Sequence, residues 1–155
     1  MEKATFAAGC FWGVEDEFRD VAGVIATRVG YTGGHADNPR YQDVCTGLTG
    51  HAEAIEVIFD PEQISYEQLL DIFWQSHDPT QLNCQGPDVG SQYRSAIYYH
   101  SGEQYRLAQE SLERNDHSGR YQRRIVTEIV PCANFWEAEE YHQKYHLKHG
   151  GGCGF

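Results

Sequence analysis

The end of a strand and the start of a helix meet in one stretch of the sequence, Thr5-Phe6-Ala7-Ala8-Gly9-Cys10-Phe11-Trp12-Gly13. The run 5–8 predicts a short apolar strand, and Val14 and Phe18, four positions apart, predict a helix that begins near Cys10. Unpaired N–H groups and the helix dipole favour a thiolate at a helix N-terminus, and the flanking glycines allow a substrate to approach. Cys10 is therefore a candidate nucleophile. The alternative is a buried structural cysteine among core aromatics.

Strands and helices alternate along the rest of the chain. Alternating or apolar runs predict strands at 24–31, 52–59, 95–99 and 125–130. Capping boxes at Ser65–Gln68 and Ser101–Gln104 predict helices to about Ser76 and Asn115, and Asn134 with Glu137 predicts a last helix to about His146. Segments rich in Gly, Asn, Asp and Pro predict long functional loops at 34–51 and 77–92. This alternation favours an α/β (α+β) fold, a two-layer sandwich in which helices pack on a mixed β-sheet.

Length and charge restrict the classes of protein that remain. The 155 residues suit a single domain, 1–155, in which we expect 149–155 to be a mobile Gly-rich tail. The net charge of −11, from 12 basic and 23 acidic residues, argues against nucleic acid and anionic membranes as partners. No apolar run approaches a membrane span, and the N-terminus lacks the basic and apolar regions of a signal peptide. We expect a cytoplasmic protein, and a monomer.

The chain has five cysteines, an odd number without a Cys-x-x-Cys pair: Cys10, Cys45, Cys84, Cys132 and Cys153. Free thiols are therefore favoured over a disulfide framework. Cys153 follows three glycines, and a thiol on such a flexible linker is able to reach another sulfur. We expect Cys153 to act as the resolving thiol for Cys10, the alternative being an incidental tail cysteine. The other three cysteines are interpreted as bystanders.

Glu53 is the candidate acid. In the predicted strand 52–59 it alternates with Ile55, Val57 and Phe59, and so shares their apolar face. Because burial disfavours the charged form, the pKa of Glu53 should be raised, and a neutral carboxyl is able to donate a proton at pH 7. The alternative is a surface glutamate on a strand whose faces have been assigned the wrong way round.

Three further polar residues lie in the predicted loops: Tyr41, Tyr93 and Asp88. Phenol hydroxyls beside a reactive sulfur are able to bind an oxygen atom. The chain has ten tyrosines, however, and most of them are expected to be structural.

A metal site is the rival interpretation from another functional class. His142, His146 and His149 follow an H-x3-H-x2-H spacing, and two histidines four apart on a helix are able to share a metal ion. Together with Cys153 they would form a metal-binding module, which a zinc titration would detect. The alternative is that basic residues in the last turn interact with the helix dipole.

Several blocks of the chain recur in one known family in the same order. They are Gly9-Cys10-Phe11-Trp12-Gly13-Val14-Glu15, Gly30-Tyr31-Thr32-Gly33-Gly34, Asn38-Pro39 with Tyr41, Thr49-Gly50-His51-Ala52-Glu53, His77-Asp78-Pro79-Thr80, and the stretches 86–95 and 135–145. Together they resemble the A-type peptide methionine sulfoxide reductases nearly end to end. The resemblance implies reduction of the S-epimer of methionine sulfoxide, free or in proteins, one enzyme class acting on each epimer.

The resemblance also implies a role for each candidate. Cys10 would attack the sulfoxide sulfur, while Phe11 and Trp12 hold the S-methyl group. Glu53 would protonate the sulfoxide oxygen, Tyr41 and Tyr93 would hydrogen-bond it, and Asp88 would support the site. Cys10 would become a sulfenic acid that Cys153 resolves, and thioredoxin, or dithiothreitol in vitro, would reduce the disulfide. No bound cofactor or metal is implied.

One departure concerns recycling. Many family members have a second recycling cysteine in a longer tail, whereas this sequence has no cysteine after Cys153. We therefore expect the reductant to attack the Cys10–Cys153 disulfide directly. A thiol peroxidase would use the same sulfur chemistry, but it leaves the paired aromatics after Cys10 without a role.

Overall fold

The computed structural model describes residues 1–149. The strands are β1 (Glu2–Ala8), β2 (Val24–Thr32), β3 (Ala52–Phe59), β4 (Cys84–Gln85), β5 (Asp88–Val89), β6 (Ser95–Tyr99), β7 (Glu128–Pro131) and β8 (Trp136–Glu137). The α-helices are α1 (Phe11–Arg19), α2 (Tyr41–Cys45), α3 (Tyr66–Gln75), α4 (Gly102–Asp116) and α5 (Tyr145–His149). Short 3₁₀ turns cover Ser91–Tyr93 and Glu140–His142.

Six of these strands form one mixed sheet in the order β7-β6-β1-β3-β2-β8. All neighbours in it are antiparallel except β6 and β7, which run parallel. The strands β4 and β5 form a separate hairpin. The predicted α+β architecture, with helices packed on a mixed sheet, is confirmed.

The two faces of the sheet carry cores of different size. Phe6 on β1 points to the helical side, where its ring stacks at 5.4 Å on Phe18 of α1 and at 5.1 Å on Phe73 of α3. Its neighbour Ala7 points to the opposite face, where a smaller cluster of alanines packs around Tyr98. Because side chains alternate along a strand, β3 likewise sends residues 53, 55, 57 and 59 towards the helices.

Local sequence signals predicted most of the elements well. The strands β3 and β6 have the predicted bounds, and α3 begins at the predicted capping box, in which Ser65 and Gln68 each accept a hydrogen bond from the other's backbone N–H. Ser101 caps α4 by accepting from the Gln104 N–H. The Gln104 side chain is not part of a box, however, because it bonds the His100 N–H instead. The strand predicted at 125–130 begins three residues later, at Glu128, as β7.

The predicted helix from Asn134 to His146 is wrong. Trp136 and Glu137 instead pair with β2 at the sheet edge, where Gly30 leaves room: a Cβ at Gly30 would lie 2.4 Å from the Trp136 carbonyl oxygen. The Gln143 side chain then takes the place of a further strand, accepting from the Val29 N–H and donating to the Val29 carbonyl, both at 2.9 Å. These long-range hydrogen bonds override the local capping signal.

The two long loops predicted at 34–51 and 77–92 contain short elements that the sequence did not reveal. The first contains α2, so Tyr41 begins a helix rather than lying in a loop. The second contains the β4–β5 hairpin and the start of the turn at Ser91–Tyr93. The Arg94 guanidinium connects the loops by donating to the Gly50 carbonyl at 2.9 Å. Among residues 1–149, no helix has the length and apolarity needed to cross a membrane.

Candidate active site

Cys10 is the N-cap residue of α1, between β1 and the first helical turn. The turn depends on Gly9, whose φ of +94° lies in the left-handed region that other residues avoid. A Cβ at Gly9 would also lie only 2.9 Å from the Gln85 side chain. Cys10 therefore lies between a strand and a helix, as predicted. The backbone N–H groups of the first turn of α1 follow it directly.

The Glu53 carboxyl meets the same helix end from the neighbouring strand β3. Its Oε1 accepts a hydrogen bond from the Phe11 N–H at 3.2 Å, and the residue is only 1% exposed. In the sheet Glu53 lies opposite Tyr31 of β2. The apolar strand face predicted for Glu53 thus places its carboxyl at the N-terminus of α1, bonded to Phe11, the residue that follows Cys10.

Burial determines the protonation state of this carboxyl. It raises the pKa of Glu53 to about 8, the Phe11 N–H opposes the shift, and the negative charge of Asp88 adds to it. At pH 7 Glu53 is therefore mostly the neutral acid, which has a proton to donate. A carboxylic acid next to a helix N-terminal cysteine combines a proton donor with a nucleophile.

Two tyrosine hydroxyls lie near this carboxyl. Tyr41 is the first residue of α2 and Tyr93 ends the 3₁₀ turn, and the charge of Glu53 acts on both. Burial, followed by the Glu53 charge, raises the pKa of Tyr93 to about 12. Burial and a hydrogen bond with the Cys45 side chain raise the pKa of Tyr41 further. Both phenols are neutral at pH 7 and so remain hydrogen-bond donors.

Asp88 reaches the site from the β4–β5 hairpin. It pairs in register with Gln85, which is the residue that packs against Gly9. The Gln85 amide in turn accepts from the Asp78 N–H at 3.0 Å and donates to the Asp78 carbonyl at 2.9 Å. The hairpin is thereby held against the turn before Cys10, with Asp88 close enough to raise the pKa of Glu53.

The two aromatics after Cys10 differ in exposure. Phe11 is 1% exposed, and its ring packs in the core against Tyr31 and His142, at centroid distances of 5.8 and 5.1 Å. Trp12 is half-buried and stacks on Tyr145 at 3.8 Å with an interplanar angle of 9°. Its indole N–H donates to His142 Nδ1 at 3.0 Å. An apolar surface therefore lies beside Cys10, with Trp12 as its more exposed part.

Glu139 is a residue of this region to which the sequence reasoning gave no role in the site. Its carboxylate accepts from the Tyr31 hydroxyl at 2.8 Å and from the Tyr41 N–H at 3.0 Å. Burial would raise the pKa of Glu139, but these hydrogen bonds keep it below its usual value. An ionised Glu139 therefore fixes the start of α2, and with it Tyr41. The only sequence signal was its membership of the block at 135–145.

The C-terminal segment is also joined to α1 through acidic side chains. Glu15, 1% exposed, accepts from the Thr27 hydroxyl at 2.7 Å and from the Lys144 N–H at 2.6 Å. Asp16 forms a hydrogen bond with the His146 imidazole. These contacts place the segment that leads towards Cys153 beside the helix that begins at Cys10.

Comparisons with known proteins decide the family. A family model described as Peptide methionine sulfoxide reductase matches residues 2–153. The peptide methionine sulfoxide reductase MsrA of Methanothermobacter thermautotrophicus is 67% identical over 144 residues, which cover 93% of this chain and 85% of that protein. This chain belongs to the MsrA family.

Solved structures agree with the family assignment. Methionine sulfoxide reductase A of Corynebacterium diphtheriae has a TM-score of 0.91 at 39% identity, covering 99% of this chain and 77% of that chain. Mxr1 from Saccharomyces cerevisiae in complex with Trx2 has a TM-score of 0.63 at 29% identity, covering 93% and 84%. The fold and the family that the sequence motifs indicated are both confirmed.

The cysteines other than Cys10 occupy different surroundings in this MsrA family member. Cys45 lies at the end of α2, where its side chain interacts with the Tyr41 hydroxyl. The residue as a whole is exposed, but partial burial of its sulfur raises the pKa of the thiol. Cys84 donates to the Gln81 side chain at 3.7 Å. Cys132 packs against the smaller core, on the sheet face opposite the helices. Cys153, which we expect to resolve the sulfenic acid, lies outside the described residues.

The metal-binding alternative is not supported. His142 accepts from Trp12 and His146 bonds Asp16, so two of the three histidines have partners other than a metal. Within 1–149, no group of three or more His, Cys, Asp and Glu side chains is placed to hold a metal ion. His149 lies in the last turn of α5.

Proposed function

We propose that this protein reduces methionine (S)-sulfoxide, in proteins and as the free amino acid, to methionine at the expense of thiols. The observation that carries the proposal is the buried Glu53 carboxyl, which accepts from the Phe11 N–H at the helix N-terminus where Cys10 is the N-cap residue. Its raised pKa supports the acid role. A sulfoxide oxygen is a poor leaving group until it is protonated. A neutral acid beside a nucleophilic sulfur supplies both of the groups that such a reduction needs.

The first step forms a bond between sulfur atoms. The Cys10 thiolate attacks the sulfoxide sulfur while Glu53 gives its proton to the sulfoxide oxygen, and Tyr41 and Tyr93 donate hydrogen bonds to that oxygen. Trp12, with Phe11 behind it, contacts the S-methyl group. The S–O bond of the substrate and the transient S–S bond then break, methionine leaves as the thioether, and the oxygen ends on Cys10 as a sulfenic acid. The substrate is thereby reduced by two electrons and Cys10 is oxidised by two.

The second half of the cycle restores the thiol. The Cys153 thiol condenses with the sulfenic acid, releasing water and forming a Cys10–Cys153 disulfide. A dithiol protein then reduces this disulfide by exchange. The structure of the relative Mxr1 in complex with Trx2 supports thioredoxin as the reductant of the present protein.

An assay with both epimers of a blocked methionine sulfoxide tests the proposed function. With dithiothreitol as reductant, we expect consumption of the S-epimer and not of the R-epimer, followed by chiral chromatography. Comparable loss of both epimers would contradict the stereochemical assignment. Reduction of hydrogen peroxide but of neither epimer would identify a thiol peroxidase instead, and tight stoichiometric zinc binding without reductase activity would favour a metal-binding module.

A further inference from the structure

His142 occupies a position between the aromatic residues of the candidate site. It is 1% exposed, and its ring lies 5.1 Å from Phe11, 5.6 Å from Trp12 and 4.6 Å from Tyr41, measured between ring centroids. The Tyr141 ring lies at 4.1 Å. His142 therefore lies against the aromatic pair from α1 and the first residue of α2 together.

The chemistry of the Trp12–His142 hydrogen bond determines the tautomer of the imidazole. An indole N–H is only a donor, so Nδ1, 3.0 Å away, must be the acceptor. Nδ1 therefore carries no proton, and in the neutral ring the proton is on Nε2. Nε2 is buried and has no hydrogen-bond partner within residues 1–149. Among the described residues, the Trp12 indole is thus the hydrogen-bond partner that selects the Nε2-protonated tautomer of His142.

We propose that His142 is a positioning residue for Trp12: its unprotonated Nδ1 fixes the in-plane orientation of the indole against which the substrate S-methyl group packs. Tyr145 stacks on the indole and restrains its tilt, but a stacked ring still swings within its own plane when the Cα–Cβ bond rotates. The hydrogen bond at the ring edge removes that rotation. This proposal rests on the proposed function for its kinetic consequence, and not for the hydrogen bond itself.

Protonation of His142 would abolish this role. A proton on Nδ1 would face the indole N–H, and two donors cannot share a hydrogen bond. Burial lowers the pKa of His142, with the Glu139 carboxylate acting in the opposite direction, so the acceptor form prevails at pH 7. The other titratable groups near His142 and Trp12 are Tyr41 from α2, Tyr141 beside His142, and Tyr145 and His146 of α5.

Indole N–H resonances test the hydrogen bond without any assay of activity. The chain has three tryptophans, and Trp74 is an internal reference because its indole N–H donates to the Ser111 hydroxyl at 2.7 Å in the core. In ¹⁵N-labelled protein, the Trp12 indole signal is the one that Trp12→Phe removes. We expect the chemical shift of this signal to change in His142→Leu, and to change in the unmodified protein when the pH is lowered. The Trp74 signal should stay in place.

The conservative variant His142→Asn is the matched control. The Asn side-chain oxygen occupies nearly the position of Nδ1 and accepts a hydrogen bond, but it does not titrate. We expect the Trp12 resonance of His142→Asn to resemble that of the unmodified protein at pH 7 and to lose its acid shift. Any acid shift that persists in this variant belongs to His146 or another neighbour. A Trp12 resonance that is the same in His142→Leu as in the unmodified protein would overturn the proposal.

Single-turnover kinetics separate positioning from a merely structural role. We expect His142→Leu to raise the substrate concentration for half-maximal methionine formation by roughly tenfold, the scale set by a buried donor left without an acceptor. In His142→Asn this half-maximal substrate concentration should return most of the way to that of the unmodified protein. In a Trp12→Phe background, where the N–H is absent, the Leu and Asn variants should behave alike. A Leu–Asn difference that persists there contradicts the proposal, as does equal impairment of both variants with Trp12 present.

The two proposals are separable by these readouts. If the unmodified protein forms no methionine from either epimer while the Trp12 resonance shifts as expected, the proposed function fails and the Trp12–His142 bond stands. Far-UV circular dichroism and thermal unfolding of His142→Leu check that the fold is retained, and His142→Asn covers the case in which Leu does not fold.

Discussion

The strand-turn-helix segment that ends in α1 and the C-terminal segment 133–149 contribute to the same site but are held in place differently. The first is anchored by apolar packing: Phe6, Phe18 and Phe73 stack in the main core. The second contains only short elements, β8, the Glu140–His142 turn and α5, and side chains such as Gln143 hold it by bonding backbone groups of β2. Burial of one Phe contributes about 1.5–3 kcal/mol. A net hydrogen bond contributes only about 0.5–1.5 kcal/mol.

This contrast assigns different tasks to the two regions. The first segment, packed in the main core, holds Cys10, and with it the group that reacts. The second segment holds groups that position others, such as Glu139 at Tyr41 and His142 at Trp12, and it leads towards Cys153. Changes in the first segment or in its partner Glu53 should therefore act on the chemical step. Changes in the second should act on binding, recycling or local stability.

Replacing the nucleophile should have the largest effect. We expect Cys10→Ser to abolish methionine formation, because the serine hydroxyl is a far weaker nucleophile, while the apolar anchors of α1 keep the fold intact. Single-turnover methionine formation and thermal unfolding measure the two effects. Turnover by a folded Cys10→Ser protein with any reductant would contradict the mechanism.

Replacing the predicted resolving thiol should block recycling but not chemistry. We expect Cys153→Ser to form one equivalent of methionine per enzyme without reductant, because Cys10 and Glu53 are untouched. Steady-state turnover with thioredoxin should collapse, since no disulfide forms, and dithiothreitol should restore part of it. Deletion of 150–155 is the matched test of a packing effect. If Cys153→Ser turns over with thioredoxin at the unmodified rate, Cys45, Cys84 or Cys132 must resolve instead.

Removing the acidic proton should slow the first step by ~10²–10⁴-fold, the usual contribution of general acid catalysis. Glu53→Gln keeps an oxygen for the Phe11 N–H and loses the proton. Because burial raises the pKa of Glu53 to about 8, the acid form is lost as the pH rises through that value. We expect the single-turnover rate to fall above about pH 8, and this alkaline fall to be absent in Glu53→Gln. A near-normal rate in the variant would mean that Glu53 is not the acid, or that the phenols suffice.

Weakening the second segment should have the smallest effect. Gln143→Leu leaves the buried N–H of Val29 without its acceptor, a loss of about 1–3 kcal/mol. The Val29 carbonyl loses the Gln143 amide but keeps its hydrogen bond from the Ala138 N–H at 2.9 Å. We expect faster hydrogen exchange across 136–149 and a lower unfolding temperature. Exchange in α1 should change far less. Gln109→Leu on the exposed side of α4 is the matched control. Equal exchange changes in both segments would show that they unfold as one unit.

The sequence alone was sufficient where a local signal and the fold agree. Alternation predicted the bounds of β3 and β6 and the buried face of Glu53. The Ser65 capping box predicted the start of α3, and the apolar run 5–8 with Val14 and Phe18 predicted that Cys10 lies between a strand and a helix. In each case the deciding contacts lie within a few residues or follow from the period of one element, so one stretch of sequence contains the information.

Only the tertiary structure decided the C-terminal segment and the second set of site residues. Asn134 and Glu137 follow a helix-capping pattern, yet Glu137 and its neighbour Trp136 pair with β2 instead. The edge of β2, more than a hundred residues away in sequence, offers them backbone hydrogen bonds. Glu139 and His142 acquire roles only through Tyr41 and Trp12, their partners across the fold. A capping preference is worth about 1 kcal/mol. Several long-range hydrogen bonds together outweigh it, and no local pattern records them.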